Sequence, residues 1–309
     1  MTQIGIAITV ATVLAIIIGF LRAHPRRLPF YGWMGVALLG TAEWLMWRHV
    51  WPVNVYFTPI AWSAYLMIVD AMVFSISGRS RLHDASSRFL LSALLSIPLW
   101  LIFEVYNLRL ANWTYVGVPV NWAGAVFGYG WSFATITPAI LETTDLIENF
   151  GWFQRAQPVR FSSTGKTVMI ALGALCLILP VALPQHVGAY LFGLVWIGFV
   201  FLLDPVNERL GAPSLLRDWA AGRRGRFFSL LVSGWVCGWL WEFWNFWAAA
   251  KWHYIFPIMQ HYKIFEMPIA GYLGFLPFAL ECFVMYSTAA FVFGVNGIAT
   301  SMRPCEPKS

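Results

Sequence analysis

Between Glu104 and Glu142, and again between Glu242 and Glu281, the chain repeats one polar pattern within apolar sequence. Each stretch opens with a Trp-containing apolar run that ends in a glutamate, followed three residues on by an asparagine: Glu104 and Asn107, Glu242 and Asn245. A loop with a tryptophan and a tyrosine comes next, Trp113 and Tyr115 or Trp252 and Tyr254. Twenty-seven residues after each tyrosine stands a second glutamate, Glu142 or Glu281, four residues after Pro138 or Pro277. Internal similarity of this kind constrains architecture more than local propensity does, because neighbouring copies must bury each other's apolar faces.

Those faces are to be buried in lipid as well as in protein. The 309 residues are 59% hydrophobic and only 11% charged, with mean hydropathy +0.66, whereas a soluble domain carries about 25% charged residues. A bilayer crossing takes about 20 apolar residues. That length gives nine runs, 4–22, 30–48, 58–77, 88–107, 122–148, 167–184, 187–203, 227–249 and 267–294. The fifth and ninth contain Gly128, Gly130 and Pro138, or Gly271, Gly274 and Pro277, so a kink or an interfacial lead-in is expected in each. Only Pro184, Gln185 and His186 divide the sixth from the seventh, which predicts a tight helical hairpin. The first run has no basic region before it and no small-residue cleavage site after it, so it is expected to be retained as a helix.

Charge sets orientation. With the N-terminus outside, the inner segments hold Arg22, Arg26, Arg27; Arg79, Arg81, Arg88; Arg155, Arg160, Lys166; Arg209, Arg217, Arg223, Arg224, Arg226; and Arg303, Lys308. The outer segments hold Arg48, Arg109, Lys251 and Lys263, a split of 16 to 4 that favours N-out and C-in. The net charge of +6 is thereby assigned to orientation and anionic headgroups rather than to nucleic acid. Runs 2–5 match runs 6–9, and Trp62 precedes Asp70 by eight residues as Trp196 precedes Asp204. An even offset gives both copies one orientation, related by a pseudo-twofold axis along the membrane normal. The expected fold is an all-α polytopic membrane protein of nine transmembrane helices: an N-terminal helix and basic loop (1–29), two parallel four-helix repeats (30–150 and 151–298), and a cytoplasmic tail (299–309). The expected location is the bacterial inner membrane.

A carboxylate at bilayer depth costs a few kcal/mol and so faces a partner or a cavity. The candidates are Glu43, Asp70, Glu104, Glu142, Asp145, Glu242 and Glu281, with Asp204 near the inner boundary. Glutamate and asparagine at i and i+3 share a helix face. Each half is therefore expected to bring two acids from adjacent antiparallel helices to one locus, under its tryptophan and tyrosine. One reading makes these groups helix glue and the tryptophans an interfacial belt. The other makes them a site. Burial without a cation raises a carboxyl pKa, and a neutral glutamate in an aromatic cage could protonate an alkene while ring faces stabilise the carbocation. The catalytic candidates are then Glu242, Glu281, Glu104 and Glu142, with Asn245, Asn107, Trp241, Trp252, Tyr254, Trp113 and Tyr115 against the substrate. The second half is favoured, since Glu242 lies among Trp239, Trp241, Trp244 and Trp247, near His253 and Tyr254.

No metal or cofactor is expected. His49, His186, His253 and His261 fall on the outer side without HxxxH or HxxE spacing, and Cys176, Cys237, Cys282 and Cys305 form no CxxC, which excludes a zinc signature and a disulfide framework. No GxGxxG, Walker, histidine-box or Ser–His–Asp signature is present.

NWTY at Asn112–Tyr115 with PAILE ending at Glu142, and WHY at Trp252–Tyr254 with PFALE ending at Glu281, resemble the membrane carotenoid-cyclase (lycopene cyclase domain) group over runs 4–5 and 8–9. In that group proline is followed, one residue on, by two adjacent glutamates. Here the gap is longer, and Thr143 and Cys282 stand where the second acid would be. The resemblance implies acid chemistry on an isoprenoid, an isomerase or cyclase of carotenoid type. Three function classes remain open: a membrane enzyme on an isoprenoid or other lipid, a proton- or cation-coupled transporter or channel, and an accessory subunit of a membrane complex. The partners expected are a hydrophobic lipid substrate, membrane lipids, and a second copy or a membrane-complex partner, with no nucleic acid.

Overall fold

The computed structural model describes residues 1–153 and 156–295. The tail 299–309 lies outside the described residues, as do Arg155, Arg303, Lys308 and Cys305. The helices are α1 (Thr2–Arg22), α2 (Phe30–Trp47), α3 (Phe57–Ser77), α4 (Arg81–Asp84), α5 (Ser86–Leu110), α6 (Trp122–Asn149), α7 (Ser163–Ala182), α8 (Gln185–Gly188), α9 (Phe192–Leu210), α10 (Leu215–Ala220), α11 (Gly225–Trp247) and α12 (Phe275–Val292). Strands β1 (Trp113–Val116) and β2 (Lys251–Tyr254) pair with each other, as do β3 (Lys263–Ile264) and β4 (Met267–Pro268).

The chain is an all-α membrane protein in outline. Six described segments are long and apolar enough to cross a bilayer: α1, α3, α5, α7, α8–α9, and α12 with the 3₁₀ turn before it. Along α1, Ile4, Val10, Leu14 and Ile18 are exposed, as expected of a lipid-facing helix. The expected runs 30–48, 122–148 and 227–249 are helical, as α2, α6 and α11, but do not reach that apolarity. Trp235, Trp239, Trp241, Trp244 and Trp247 in α11, and the glycines of α6, contribute bulk or close approach more than hydropathy. The expected ninth run, 267–294, starts as β4 and a 3₁₀ turn and becomes α-helical only at Phe275, whereas α6 passes Pro138 as one helix.

Hydrogen bonds sort the connections to two ends. At one end, Ala249 N donates to Asn54 O, Ile255 N to Asn112 O, Asn112 Nδ2 to Ala189 O and Arg109 Nη2 to Leu183 O. At the other, Arg26 N donates to Ser75 O, Ala156 N to Gly222 O and Val159 N to Trp219 O. The first end carries Arg48, Arg109, Lys251 and Lys263, and we refer to it as the ribbon end after the β1–β2 pair. Helix α1 begins there, with Gly5 against Ile264 and Phe265, and finishes at the opposite end, with Gly19 against Phe150 and Trp152. Both glycines are places where a methyl group would collide with those neighbours, so α1 depends on them to seat against the bundle.

The same packing recurs in the two stretches. Helix α2 lies along α3 as α7 lies along α9; α3 and α5 pack on α6 as α9 and α11 pack on α12; and α6 packs on α11 between them. Asp70 accepts from Leu82 N (2.8 Å), Ser80 Oγ (2.8 Å) and Tyr31 OH (2.6 Å). Asp204 accepts from Leu215 N (2.8 Å) and Leu216 N (2.9 Å). Ser80 and Ser214, each ten residues past its aspartate, cap α4 and α10. Each buried aspartate thus satisfies the donors of the following turn, which offsets the cost of its own burial.

Candidate functional site

The site is built from the ribbon inward. Ala111, in the left-handed region at φ 51°, ends α5 and turns the chain toward β1. Asn107 then fixes that strand: its Oδ1 accepts from Asn112 N (2.8 Å) and Trp113 N (3.0 Å), and its Nδ2 donates to Trp113 O (2.9 Å). Asn245 does the same for β2, accepting from Trp252 N (2.9 Å) and donating to Trp252 O (2.9 Å). Neither asparagine bonds a carboxylate or lines the cavity described below, so both differ from the expectation that they face substrate. A side-chain amide carries a donor and an acceptor on one plane, which suits it to clasp a peptide unit.

In the antiparallel ribbon Trp113 faces Tyr254, Thr114 faces His253, and Tyr115 faces Trp252. Each strand delivers its tyrosine to the glutamate of its own stretch. Glu104 Oε1 accepts from Tyr115 OH (2.5 Å), Trp100 Nε1 (2.8 Å) and Trp113 Nε1 (3.3 Å). Glu242 Oε1 accepts from Tyr254 OH (3.0 Å), which itself accepts from Trp252 Nε1 (2.9 Å). Glu242 is fully buried and its Oε2 has no hydrogen-bond partner, while Glu104 is partly exposed. Burial, and then the adjacent glutamate, push the Tyr115 and Tyr254 hydroxyls well above the usual phenol range, so both keep their protons.

Beneath the ribbon is a cavity of about 140 Å³, close in size to apolar cavities that hold one benzene-sized group. Its wall includes Trp62, Trp100, Trp113, Trp196, Trp241 and Trp252, together with Tyr115 and Tyr254. Both stretches contribute: Trp62 and Trp196, Trp113 and Trp252, and Tyr115 and Tyr254 stand at matching positions. Glu104 and Glu242 lie one hydrogen bond behind the wall. Lys251 is the charged residue of the lining; its Nζ turns to Phe246 O (2.8 Å) and Glu266 Oε1 (3.4 Å), and Glu266 Oε2 meets His253 Nδ1 (2.6 Å).

Glu142 and Glu281 are elsewhere, which corrects the expectation of one locus per half. Ser96 Oγ donates to Phe133 O (2.6 Å) and accepts from Thr137 N (3.0 Å), so Ser96 of α5 and residues 133–137 of α6 share a level. Glu104 is eight residues from Ser96 toward the ribbon; Glu142 is five beyond Thr137 away from it. At 1.5 Å rise per residue the two acids are roughly 20 Å apart along the helices. Gly234 of α11 packs on the Phe275 backbone, and the same counting places Glu242 and Glu281 on two levels as well. The reason is the length of α6 and α12 past the turn: twenty-seven residues from the tyrosine carry the chain most of the way across the bundle.

The deeper tier has its own chemistry. Glu142 and Glu281 are fully buried and neither carboxyl has a hydrogen-bond partner. Asp70, Arg81 and Asp145 are the charged neighbours of Glu142. Arg81 forms a buried two-point pair with Asp145, Nε–Oδ2 2.6 Å and Nη2–Oδ1 3.1 Å. Sequence reasoning counted Arg81 only as a loop cation, because nothing in the spacing of 64 residues links it to Asp145. It also passed over Trp62, Trp196 and Trp100 as site residues, although the paired Trp62 and Trp196 were visible as markers of the repeat. Glu43 accepts from Trp244 Nε1 (3.3 Å). Among the described residues no three His, Cys, Asp or Glu side chains gather as metal ligands, and Cys176, Cys237 and Cys282 are free thiols.

Fold and site together define a helical membrane protein with an aromatic cavity backed by tyrosine–glutamate pairs. No protein-family model, no curated protein and no solved structure matches the chain.

Proposed function

We propose that the protein is a membrane-embedded enzyme that takes the end group of an isoprenoid or other lipid into this cavity and rearranges it by proton transfer. The observation that carries the reading is the cavity wall itself, largely apolar and aromatic, in which Tyr115 and Tyr254 are backed by Glu104 and Glu242. Proton addition to an alkene carbon would start from a neutral glutamic acid of one pair, its proton relayed through the tyrosine once that hydroxyl turns from the carboxyl to the substrate. Loss of a proton from an adjacent carbon to the other pair would complete an isomerisation or cyclisation with no oxidant or reductant. Ring faces of the six tryptophans would stabilise the intermediate cation. The cavity volume admits one ring or one isoprene unit, not a whole carotenoid, so the rest of the chain would remain outside.

On this reading the chain has nine spans, N-terminus out and C-terminus in, as one helix plus two parallel four-helix copies. The recurrence of the Asp70 and Asp204 caps, the asparagine clasps and the tyrosine–glutamate pairs supports the duplication. An antiparallel ribbon whose register pairs Trp113 with Tyr254 and Tyr115 with Trp252 is what a twofold axis through Thr114 and His253 would produce. The unpartnered Glu142 and Glu281 favour a second reading, a proton path between the halves. Against it, Asp70 and Asp204 are engaged in caps rather than lining a passage.

The test is lipid extraction and mass spectrometry of cells with and without the protein, and with the Glu242→Gln and Tyr254→Phe variants. A lipid isomer that appears with the wild type and disappears in both variants, at equal membrane abundance, supports the site. The same isomer in both variants refutes it.

A further inference from the structure

The cavity is walled by matching residues from both stretches, but its rim is not symmetric. On one side the lining continues outward through Tyr56, Pro59, Val118, Pro119, Ala125 and Gly128. By spacing, Tyr190 precedes Trp196 as Tyr56 precedes Trp62, yet Tyr190 and its surroundings are absent from the wall. There the way is shut. The Trp196 ring lies against the backbone at Gly274, so close that a methyl group there would fall 1.6 Å from Cζ3. Phe192 stands between Trp196 (5.7 Å) and Trp113 (5.2 Å), and Asn112 Nδ2 ties down Ala189 O at 3.0 Å. The other side instead meets small residues on α6: Gly124, Ala125 and Gly128. Beside them Trp122, Val126 and Phe127 are exposed, so the cavity rim runs on into an apolar outer face of the helix. Tyr56 closes this side, packed on Gly124 and Gly128 and held by one long bond from its OH to Gly124 O (3.2 Å) and by edge contact with Phe127 (5.7 Å).

Resting on the proposed lipid chemistry, we propose that the seam between Tyr56 of the α3 start and Gly124–Gly128 of α6, opened when the Tyr56 ring swings away, is a lateral entrance through which the apolar end of a bilayer lipid enters. The physical reason is that an apolar end group already dissolved in the membrane keeps apolar contact as it slides along the exposed Trp122, Val126 and Phe127 and past the Tyr56 edge, whereas a path between the strands, past Lys251, would expose it to water. The substrate class follows: a lipid resident in the bilayer whose end group is about one isoprene unit in size, as the cavity admits, rather than a water-soluble molecule. Tyr56 can swing because it makes one weak hydrogen bond, and Gly128 leaves it room: a methyl group there would meet Tyr56 Cε1 at 3.2 Å. The matching seam in the second stretch was lost where the ribbon-end half of a helix like α6 is replaced by β3, β4 and the 3₁₀ turn.

The test uses the full chain in lipid nanodiscs with a farnesyl-chain probe that carries a diazirine on its terminal isoprene unit. Photolysis is followed by mapping of adducts by mass spectrometry. The wild type is expected to carry adducts on inner-wall residues such as Trp62 and Ile136 as well as on lipid-facing α1. Gly128→Leu is expected to lose the inner-wall adducts and keep those on α1, and Tyr56→Ala to gain inner-wall adducts several-fold over wild type. Inner-wall adducts unchanged in both variants overturn the entrance while leaving the enzyme reading intact. Their absence from the wild type and from Tyr56→Ala overturns both, since the cavity then takes no lipid. Tyr56→Ala keeps the test decisive if Gly128→Leu does not fold.

Discussion

The two asparagine clasps make a quantitative prediction. Asn107 forms three hydrogen bonds with the chain entering β1, and Asn245 forms two with β2. A neutral hydrogen bond contributes about 1 kcal/mol net, and more when the abandoned partner stays buried. Asn112 and Trp113 are buried, at 1% and 8% exposure, so water cannot easily replace the lost amide, whereas Trp252 is partly exposed. Asn107→Ala is therefore expected to cost about 3 kcal/mol and Asn245→Ala about 2 kcal/mol or less. The strands they hold are paired with each other, so the first loss loosens the ribbon that the second would also loosen. The double variant should fall short of the sum, with a coupling of roughly 0.5–1 kcal/mol. Reversible unfolding in mixed micelles, followed by tryptophan fluorescence, measures all four corners of the cycle. Asn245→Ala costing as much as Asn107→Ala, or strict additivity, would refute the account of the ribbon as one jointly clasped unit.

The deeper tier gives two further predictions. Removing one partner of the buried Arg81–Asp145 pair, as in Asp145→Leu, takes the two-point carboxylate from a buried guanidinium and should destabilise by up to about 3–5 kcal/mol, less to the extent that Glu142 takes over the charge; a change under about 1 kcal/mol in the same unfolding assay would show that the pair is hydrated. Glu281→Met replaces a buried carboxyl that has no partner with an apolar group of similar length, and should stabilise by roughly 1–3 kcal/mol; destabilisation would show that Glu281 has a partner, such as a water, that satisfies it.

How much of this was legible beforehand depends on what kind of signal each feature leaves. The recurring polar pattern was readable because it consists of spacings, and spacing is what a sequence displays. The asparagines, tyrosines and capping aspartates therefore appear where matched residues pointed. Their roles were less readable. Asn107 three residues after Glu104 suggested a shared task, but an i, i+3 neighbour on a helix end can equally turn toward the next loop, and it does. Glu142 is not near Glu104 for a reason of length: twenty residues of α6 separate Trp122 from Glu142, about 30 Å of rise. The aromatic wall was half visible, because a tryptophan beside an acid looks the same in sequence whether it faces headgroups or a cavity.

If the proposed twofold axis passes through the cavity, one substrate would meet two similar groups from opposite sides. That arrangement suits a reaction in which a proton arrives at one carbon and leaves another, provided the substrate can bind in only one sense. Two equivalent entrances would admit it in either sense and give mixed products. With Trp196 packed against Gly274 on one side and Tyr56 against Gly128 on the other, entry from the Tyr56 side alone would fix which tyrosine meets which end of an inserted group. The surroundings already differ accordingly: Glu104 holds three donors on one oxygen, while Glu242 is fully buried with one oxygen unmatched. If the entrance imposes direction, Tyr115→Phe and Tyr254→Phe should have unlike effects on an isomer formed in deuterated water. Tyr115→Phe should change the position or retention of label in the product, and Tyr254→Phe should abolish label uptake. Identical labelling from both variants would mean that the two pairs are interchangeable and that the closed side plays no part in selection.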